Sequence, residues 1–228
     1  MFEPIFFAKK EKDQFYLPED ELHHITIFKI KIPQKILFTA GDGRLYSGIV
    51  KKNGILEDIV IVESSIDDDQ FVNLYFGLCD KNRMKFIFEK GTEIGVKSFN
   101  PIITKKSEKF FLKKERVENI LKAAIKQSRR LNLPEYNEPK PIKDIDFDKN
   151  IDSFFGSLER KHKKDIVFNS NYVNIFVGPP SGFTDDEEEF LMKNGVKPFF
   201  FDVGILRTET FAISILSIFH YLKGIKNG

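Results

Sequence analysis

The sequence has no tryptophan and a single cysteine, Cys79, among 228 residues. One cysteine excludes an intrachain disulfide and fits a reducing compartment. Placed at the end of an apolar run, it reads as a small buried thiol and not as a nucleophile. Long apolar runs are missing too: FAISILSIF, at 211–219, is too short and too interrupted to cross a bilayer, so no membrane partner is expected. The opening MFEPIFFAKK lacks a basic n-region and an extended apolar h-region, so no signal peptide is expected and a cytoplasmic location follows. Net charge is only +2, which does not by itself announce a nucleic-acid partner. No G-x-G-x-x-G follows the first α/β strand and there is no Walker loop, which leaves nucleotide cofactors of those classes unsupported. Four histidines and one cysteine without close ligand spacing argue against a metal site. The one histidine pair, His23-His24, lies on a predicted strand, where neighbours point to opposite faces and cannot chelate.

Phenylalanine is abundant, at 25 residues, so the core is expected to be rich in it. Hydrophobic residues make up 41% and charged residues 31%, as in globular proteins, and the length suits one large domain or two small ones. Residues 1 to about 62 read as β-rich. IFF, HITIFKIKI, KILFT, LYSGIV and DIVIV are short runs with partial alternation, and GDG at 41–43 and NG at 53–54 are hairpin-type turns. This spacing predicts a small barrel or sandwich. The polar stretch SSIDDDQ at 64–70 marks the boundary, giving domains 1–68 and 71–228.

Beyond it, strands and helices alternate. VNLYFGL is a strand; Met84, Ile87, Phe88 and Ile94 recur at near-helical spacing up to Gly95; KSFNPIIT is a strand; Val117, Ile120, Leu121, Ala124 and Ile125 mark a second helix that ends before LNLP. SFFG, DIVF, NIFVG and KPFFFDVG are further strands. Thr184 and Glu187 form a capping box, so the acidic run Asp185 to Glu189 opens a helix with its charges where the dipole favours them. Arg207 to Lys223 is the final helix. The alternation predicts an α/β domain with a mostly parallel sheet. The last helix is apolar nearly all round, with Phe211, Ile213, Ile215, Leu216, Ile218, Phe219 and Leu222. One side can cover the sheet and the other calls for a second subunit or burial within its own domain.

Two loops at the exits of predicted parallel strands stand out, GPPSGF at 178–183 and DVGILRTET at 202–210. Open α/β sheets bind ligands at such carboxyl ends, and glycine lets backbone approach a ligand closely. Pro179 and Pro180 cannot donate, so donors in the first loop must come from Gly178, Ser181 or Gly182. On these residues alone, a small-molecule pocket and a purely structural loop are equal readings. Charge is also uneven: Thr104 to Arg130 holds ten Lys or Arg and three Glu, either a solvated face or a phosphate-binding surface.

The ordered set DKNRMKFIFEKGTEIGV, AAIKQSRR, VGPPSGF and GILRTET resembles the ribosomal small subunit methyltransferase E family, SPOUT-class enzymes that methylate N3 of a uridine in 16S ribosomal RNA. The resemblance covers most of the chain, and HHITIFKIKI looks like the entry to the family's N-terminal barrel. It implies a PUA-like β-barrel for RNA, an α/β domain threaded into a C-terminal trefoil knot, S-adenosylmethionine in the knot loops, and a homodimer with 16S ribosomal RNA of the small subunit as partner. Donor-binding positions carried over by the resemblance are Leu78, Val177, Gly178, Pro179, Ser181, Gly182, Phe201, Val203, Gly204, Ile205, Leu206 and Thr210. Arg207 and Glu209 are the catalytic candidates: Arg207 to meet charge on the uracil oxygens or grip the adjacent phosphate, Glu209 to orient Arg207 or the donor. An Arg207 ion pair with Glu209 or the acidic helix is the competing reading. Lys29, Lys81, Arg83, Lys105, Lys106, Lys113, Lys114, Arg129 and Arg130 are the RNA-contact candidates, with Phe110 or Phe111 available for stacking. Lys90 and Glu93 either share the family's helix block or simply pair on the helix. Where the family usually reads G-P-E-G-G, this chain has Gly178-Pro179-Pro180-Ser181-Gly182, and Asp202 and Gly204 stand where a glycine and an arginine are usual. An RNA-binding protein without donor binding, or an enzyme with another RNA target, are the alternatives.

Overall fold

The computed structural model describes residues 3–65, 70–159, 162 and 166–227. The chain divides into two units, 1–68 with 121–133, and 69–120 with 134–228.

The first unit opens with strand β1 (Ile5–Phe7) and the hairpin strands β2 (Lys9–Glu11) and β3 (Gln14–Tyr16). Helix α1 (Glu19–Ile27) follows, then strands β4 (Gln34–Thr39), β5 (Arg44–Val50) and β6 (Leu56–Ser64). The four-stranded sheet runs β1-β4-β5-β6, with β1 parallel to β4 and the other pairs antiparallel. The expected turns at GDG and NG join these antiparallel strands. Phe6, Phe15, Ile25, Phe38, Tyr46 and Val50 form its core.

One expectation fails here: HITIFKIKI contains no strand, because residues through Ile27 are helical and 28–32 are turn and irregular backbone before β4. Pro18 at the N-cap has the extended conformation at φ −68°, and Glu19, Asp20 and Glu21 fill the first turn, where the dipole favours acids. The β-branched Ile25, Thr26 and Ile27 suggested a strand, yet Ile25 is buried while Ile27 is 59% exposed, which a period of two would not give. His23 and His24 are therefore helical neighbours rather than strand-edge residues. Glu21 is buried and paired with Lys126.

The second unit begins with β7 (Val72–Gly77), α2 (Lys81–Ile94) and β8 (Val96–Ile103). Helix α3 (Lys114–Ser128) starts in this unit, and its residues from Leu121 onward group with the first. Short strands β9 (Glu135–Tyr136) and β10 (Lys140–Pro141) and a 3-10 turn (Ile142–Asp144) lead to β11 (Asp152–Ser157), β12 (Val173–Val177), α4 (Asp185–Lys193), β13 (Lys197–Phe200) and α5 (Thr208–Asn227). Every strand pair is parallel, in the order β10-β8-β7-β12-β11-β13, with β9 beside β8. The expected strand at DIVF is not formed: residues 166–168 are irregular, and Asp165 falls outside the described residues, as do 66–69 of the expected linker.

Alternation along the strands sends side chains to two apolar layers. Tyr75, Ile102, Phe155 and Phe176 meet α4 through Phe183, Leu191 and Val196. On the opposite face Phe76 and Phe99 pack edge-on against Phe88 of α2, with ring centroids 5.6 and 5.0 Å apart, and Phe154 meets Phe219 of α5. A polar ladder crosses the strands: Asn174 donates to Ser153, Asn73 to Asn174, Ser98 to Asn73, Asn100 to Ser98 and Asn137 to Asn100, at 2.8–3.1 Å. Buried polar groups left unpaired are costly, so this chain of partners favours one register between adjacent parallel strands.

Candidate functional site

Of the chain exits at the carboxyl edge of the parallel sheet, those after β7, β12 and β13 carry the candidate site residues. The strands β7 and β12 are neighbours, whereas β11 separates β12 from β13, so the last two exits are roughly 10 Å apart at ordinary strand spacing.

The loop after β12 is held from two sides. Gly77 ends β7, and a Cβ added there would lie 2.4 Å from the Pro179 nitrogen, so the absence of a side chain is what lets Pro179 sit against it. Gly182 has φ +68°, with nothing within 4 Å of where a Cβ would be, and its amide donates to the Pro179 carbonyl at 2.7 Å. That amide closes the turn, so of the donors expected in this loop Gly182 is already engaged. The capping box is formed: Thr184 accepts from the Glu187 amide, and Glu187 Oε2 accepts from the Thr184 amide. Glu187 Oε1 also takes the Lys105 amide at 2.7 Å. Lys106 Nζ donates to the carbonyls of Ser181 and Phe183 at 3.1 and 3.2 Å.

The loop after β13 is more open. Phe201 packs edge-on against Phe211 of α5, while Val203 and Ile205 are 52% and 87% exposed. Gly204 has φ +81° and likewise faces open space. Leu206 is half-buried, and Arg207 and Thr210 are exposed. The Arg207 side chain makes no ion pair among the described residues, which removes the expected pairing with Glu209 or the acidic helix. Glu209 turns instead toward α2: its Oε2 lies 3.7 Å from Arg83 Nε, and Arg83 also holds the Asp80 carboxylate at 2.8 Å. That Glu209 oxygen is buried and has no hydrogen-bond partner. Asp80 caps α2, accepting from the amides of Asn82 and Arg83.

Leu78 and Val177, carried over as donor contacts, are buried at the exits of β7 and β12. Both backbone groups of Leu78 are engaged, its amide with Ile102 and its carbonyl with the Glu108 amide. Cys79 next to it is buried, and burial, with Asp80 and Glu209 adding to it, pushes its thiol up to about 12. A thiol so strongly held protonated is not a nucleophile.

The RNA-contact candidates do not gather in one unit. Lys29, Arg129 and Arg130 belong to the first, and Lys81, Arg83, Lys105, Lys106, Lys113 and Lys114 to the second. Lys81, Lys105, Lys113 and Lys114 are exposed, with Phe110 and Phe111 45% and 53% exposed in the same β8–α3 loop. Lys90 pairs with Glu93 at 2.7 Å, and Glu93 and Glu89 together raise its pKa. Three participants escaped the sequence reading: Gly77, Asp80 and Glu187 in its bridging role. Of these, only the aspartate directly before a helix gives a local signal.

A groove of about 210 Å³ lined by Tyr75, Asn100, Asn137, Glu138 and Asp144 lies on the α4 side of the sheet and contains none of the predicted site residues. Among the described residues no cluster of His, Cys, Asp and Glu could hold a metal ion, and no helix is long and apolar enough to cross a membrane.

Residues 67–220 match the RNA methyltransferase domain family. The ribosomal RNA small subunit methyltransferase E of Aquifex aeolicus is 28% identical over 227 residues, spanning 94% of this chain and 97% of that protein. Its namesake from Mesomycoplasma hyopneumoniae is 29% identical over 219 residues, spanning 93% and 96%. Among solved structures, ribosomal RNA small subunit methyltransferase E from Neisseria gonorrhoeae bound to S-adenosyl methionine shares the fold, with a TM-score of 0.80 over 97% of this chain and 98% of that one, at 22% identity. The parallel sheet, the glycine-bearing exits at its carboxyl edge and the match over 67–220 agree, and the chain belongs to the RNA methyltransferase domain family.

Proposed function

We propose that this protein transfers a methyl group from S-adenosylmethionine to N3 of a uridine in 16S ribosomal RNA of the small subunit. The observation that carries this reading is that the loops after β12 and β13 leave the same sheet edge, each with a positive-φ glycine bordered by open space, with an exposed and unpaired arginine at the end of the second.

The residues present fit the donor. Gly182 and Gly204 leave open space beside the backbone, and Val203, Ile205 and Leu206 offer apolar surface, the combination that suits a flat heterocycle with a polar edge. Val177, Gly178, Pro179, Ser181, Gly182, Phe201, Thr210 and Leu78 complete the proposed surroundings. The donor, when bound, supplies a methyl already activated on a sulfonium. What remains for the protein is orientation, which can account for roughly 7–11 kcal/mol of a barrier, and stabilisation of the negative charge that uracil carries once N3 loses its proton. Arg207 suits the second of these roles, because a guanidinium is always charged and offers a planar fork of donors to carbonyl or phosphate oxygens. Glu209 acts as an orienting residue at the start of α5, facing Arg83.

Residues 1–68, the larger part of the first unit, are read as a PUA-like RNA-binding barrel built on the four-stranded sheet and hairpin. Residues 71–228 are read as the SPOUT catalytic domain, whose loops after β12 and β13 form a trefoil knot. A homodimer is proposed through α5, supported by Tyr221 and Ile225, 70% and 61% exposed, and by Phe86 of α2 at 42%. RNA phosphates are proposed to meet Lys29, Lys81, Lys105, Lys113, Lys114, Arg129 and Arg130, and the location is proposed to be cytoplasmic.

Calorimetry with S-adenosylmethionine, followed by mapping of the base methylated in small subunits and in naked 16S RNA, tests the proposal. Arg207→Ala is expected to keep donor affinity and lose turnover. Absence of donor binding in the wild type would refute the assignment in favour of a plain RNA-binding protein, and turnover near wild type in the variant would refute the role of Arg207.

A further inference from the structure

We propose that Lys106 is a positioning residue of the donor-binding loop, and not one of the phosphate contacts that its place in a basic segment suggests. This rests on the reading of 178–183 as a donor loop. Lys106 lies between β8 and α3 among Lys105, Lys109 and Lys113, and charge counting alone groups all four together. Its ammonium, however, donates to the carbonyls of Ser181 and Phe183, which flank Gly182.

The consequence follows from the planarity of the peptide unit, in which carbonyl and amide point in opposite directions. Aiming the Ser181 and Phe183 carbonyls at one ammonium turns the next two amides, of Gly182 and Thr184, the other way. There they are taken up by the Pro179 carbonyl at 2.7 Å and by Glu187 Oε2 at 2.9 Å. The preceding residue acts on the same stretch, since the Lys105 amide binds Glu187 Oε1 at 2.7 Å. One dipeptide, far away in sequence, thus fixes the Ser181–Gly182 and Phe183–Thr184 peptide planes, which bracket the one remaining plane after Gly182. Glycine has the widest backbone freedom of any residue, and at φ +68° Gly182 has no side chain to hold it by packing. A lysine suits this position because its three donors on a flexible stem can serve two carbonyls at once.

The test compares wild type, Lys106→Met and Lys106→Arg. It measures S-adenosylhomocysteine binding by calorimetry, KM for S-adenosylmethionine against kcat, melting temperature, and affinity for a small-subunit RNA fragment across a salt series. Lys106→Met is expected to weaken donor binding and raise the donor KM about tenfold, equivalent to about 1.4 kcal/mol. The salt slope of RNA binding should stay unchanged, and Lys106→Arg, which keeps a charged fork of donors, should recover most of the donor affinity. A phosphate contact would behave in the opposite way, with donor affinity within about twofold of wild type and the RNA salt slope reduced by about one; that result overturns the proposal. So does an equal loss of donor affinity in both variants that merely tracks a fall in melting temperature. Failure of the wild type itself to bind donor overturns the underlying functional reading, and is distinguished by appearing before any substitution is made.

Discussion

Adding a single methyl group at Gly77 is expected to disable the site without replacing any proposed contact residue, by displacing Pro179. The new Cβ would lie 2.4, 2.6 and 2.8 Å from the nitrogen, Cδ and Cα of Pro179, where ordinary contact begins at 3.4 Å. The shortfall at the nearest atom is about 1 Å, the difference between those two distances. Neither side can rotate away: Gly77 is in register with Ile102 in the sheet, and the opposing atoms are backbone and ring atoms of proline. The loop after β12 must therefore retreat. Overpacking of this kind costs about 1–3 kcal/mol, and clash with backbone puts Gly77→Ala at the upper end. A loss of about 3 kcal/mol lowers the melting temperature by about 6–12 °C in a chain of this size. A misplacement of about 1 Å also costs on the order of 100-fold in turnover efficiency when orientation is the main catalytic contribution. Gly224→Ala is the control. It adds the same methyl in α5, where nothing of its own protomer lies within 4 Å, and should stabilise the protomer by about 0.5–1 kcal/mol through helix propensity. Calorimetric donor binding and thermal melts on both variants decide the matter. Donor affinity and melting temperature of Gly77→Ala close to wild type would show that Pro179 need not rest on Gly77 and that the loop is not sterically fixed.

Two further predictions concern pH. Burial alone would raise the Asp152 carboxyl, but Lys197 at 2.7 Å and the amides of Asn169 and Ser170 outweigh it and hold it down to about 2. Its folded pKa is lower than its unfolded one, so the stability it contributes is present above about pH 4 and is lost as pH falls toward about 2. Urea melts at a series of pH values should show a shallower acid loss for Asp152→Asn than for wild type; parallel curves would refute the assignment. Cys79 has the opposite sign, a pKa raised by burial from 9.0 to about 12, so the folded protein holds a proton that the unfolded chain releases. Stability should fall as pH rises above about 9, and iodoacetamide at about pH 8 should alkylate the native thiol far more slowly than the unfolded one. Equal rates would refute its burial.

The parts of the fold that could be read from the sequence are those whose signal is local. Apolar runs such as NIFV and SFFG, separated by amphipathic segments, announce buried parallel strands because both faces of such a sheet are covered by helices. Capping residues set the edges, Gly95 at the end of α2 and Thr184 with Glu187 at the start of α4. Failures came where local signals conflict. In α1 three consecutive β-branched residues outweighed the proline and acids before them, although the burial of Ile25 and the exposure of Ile27 follow a helical period. The grouping of residues 121–133 with 1–68 depends on contacts distant in sequence, and so does the ladder from Ser153 to Asn137, whose members are single polar residues far apart along the chain.

The same division runs through the candidate site. Glycine in both loops, and proline in the one after β12, mark them, since those residue types state a backbone requirement by themselves. The reason Gly77 must be glycine is Pro179, which no spacing rule connects to it. Cations show the limit most clearly. Arg83, Lys106 and Arg207 look alike in a charge count, yet the fold gives them different work. Arg83 spans Asp80 and Glu209, tying the start of α2 to the start of α5, and Lys106 is bound to two carbonyls of the loop after β12. Arg207 alone of the three has no ion pair or hydrogen bond from its side chain among the described residues. A guanidinium that the protein does not neutralise for itself, at the carboxyl edge where two glycine loops leave open space, is for that reason the one proposed to meet negative charge on a substrate. On that proposal the two engaged cations would hold the surrounding loops in place, so that little reorganisation would be needed as the charge develops.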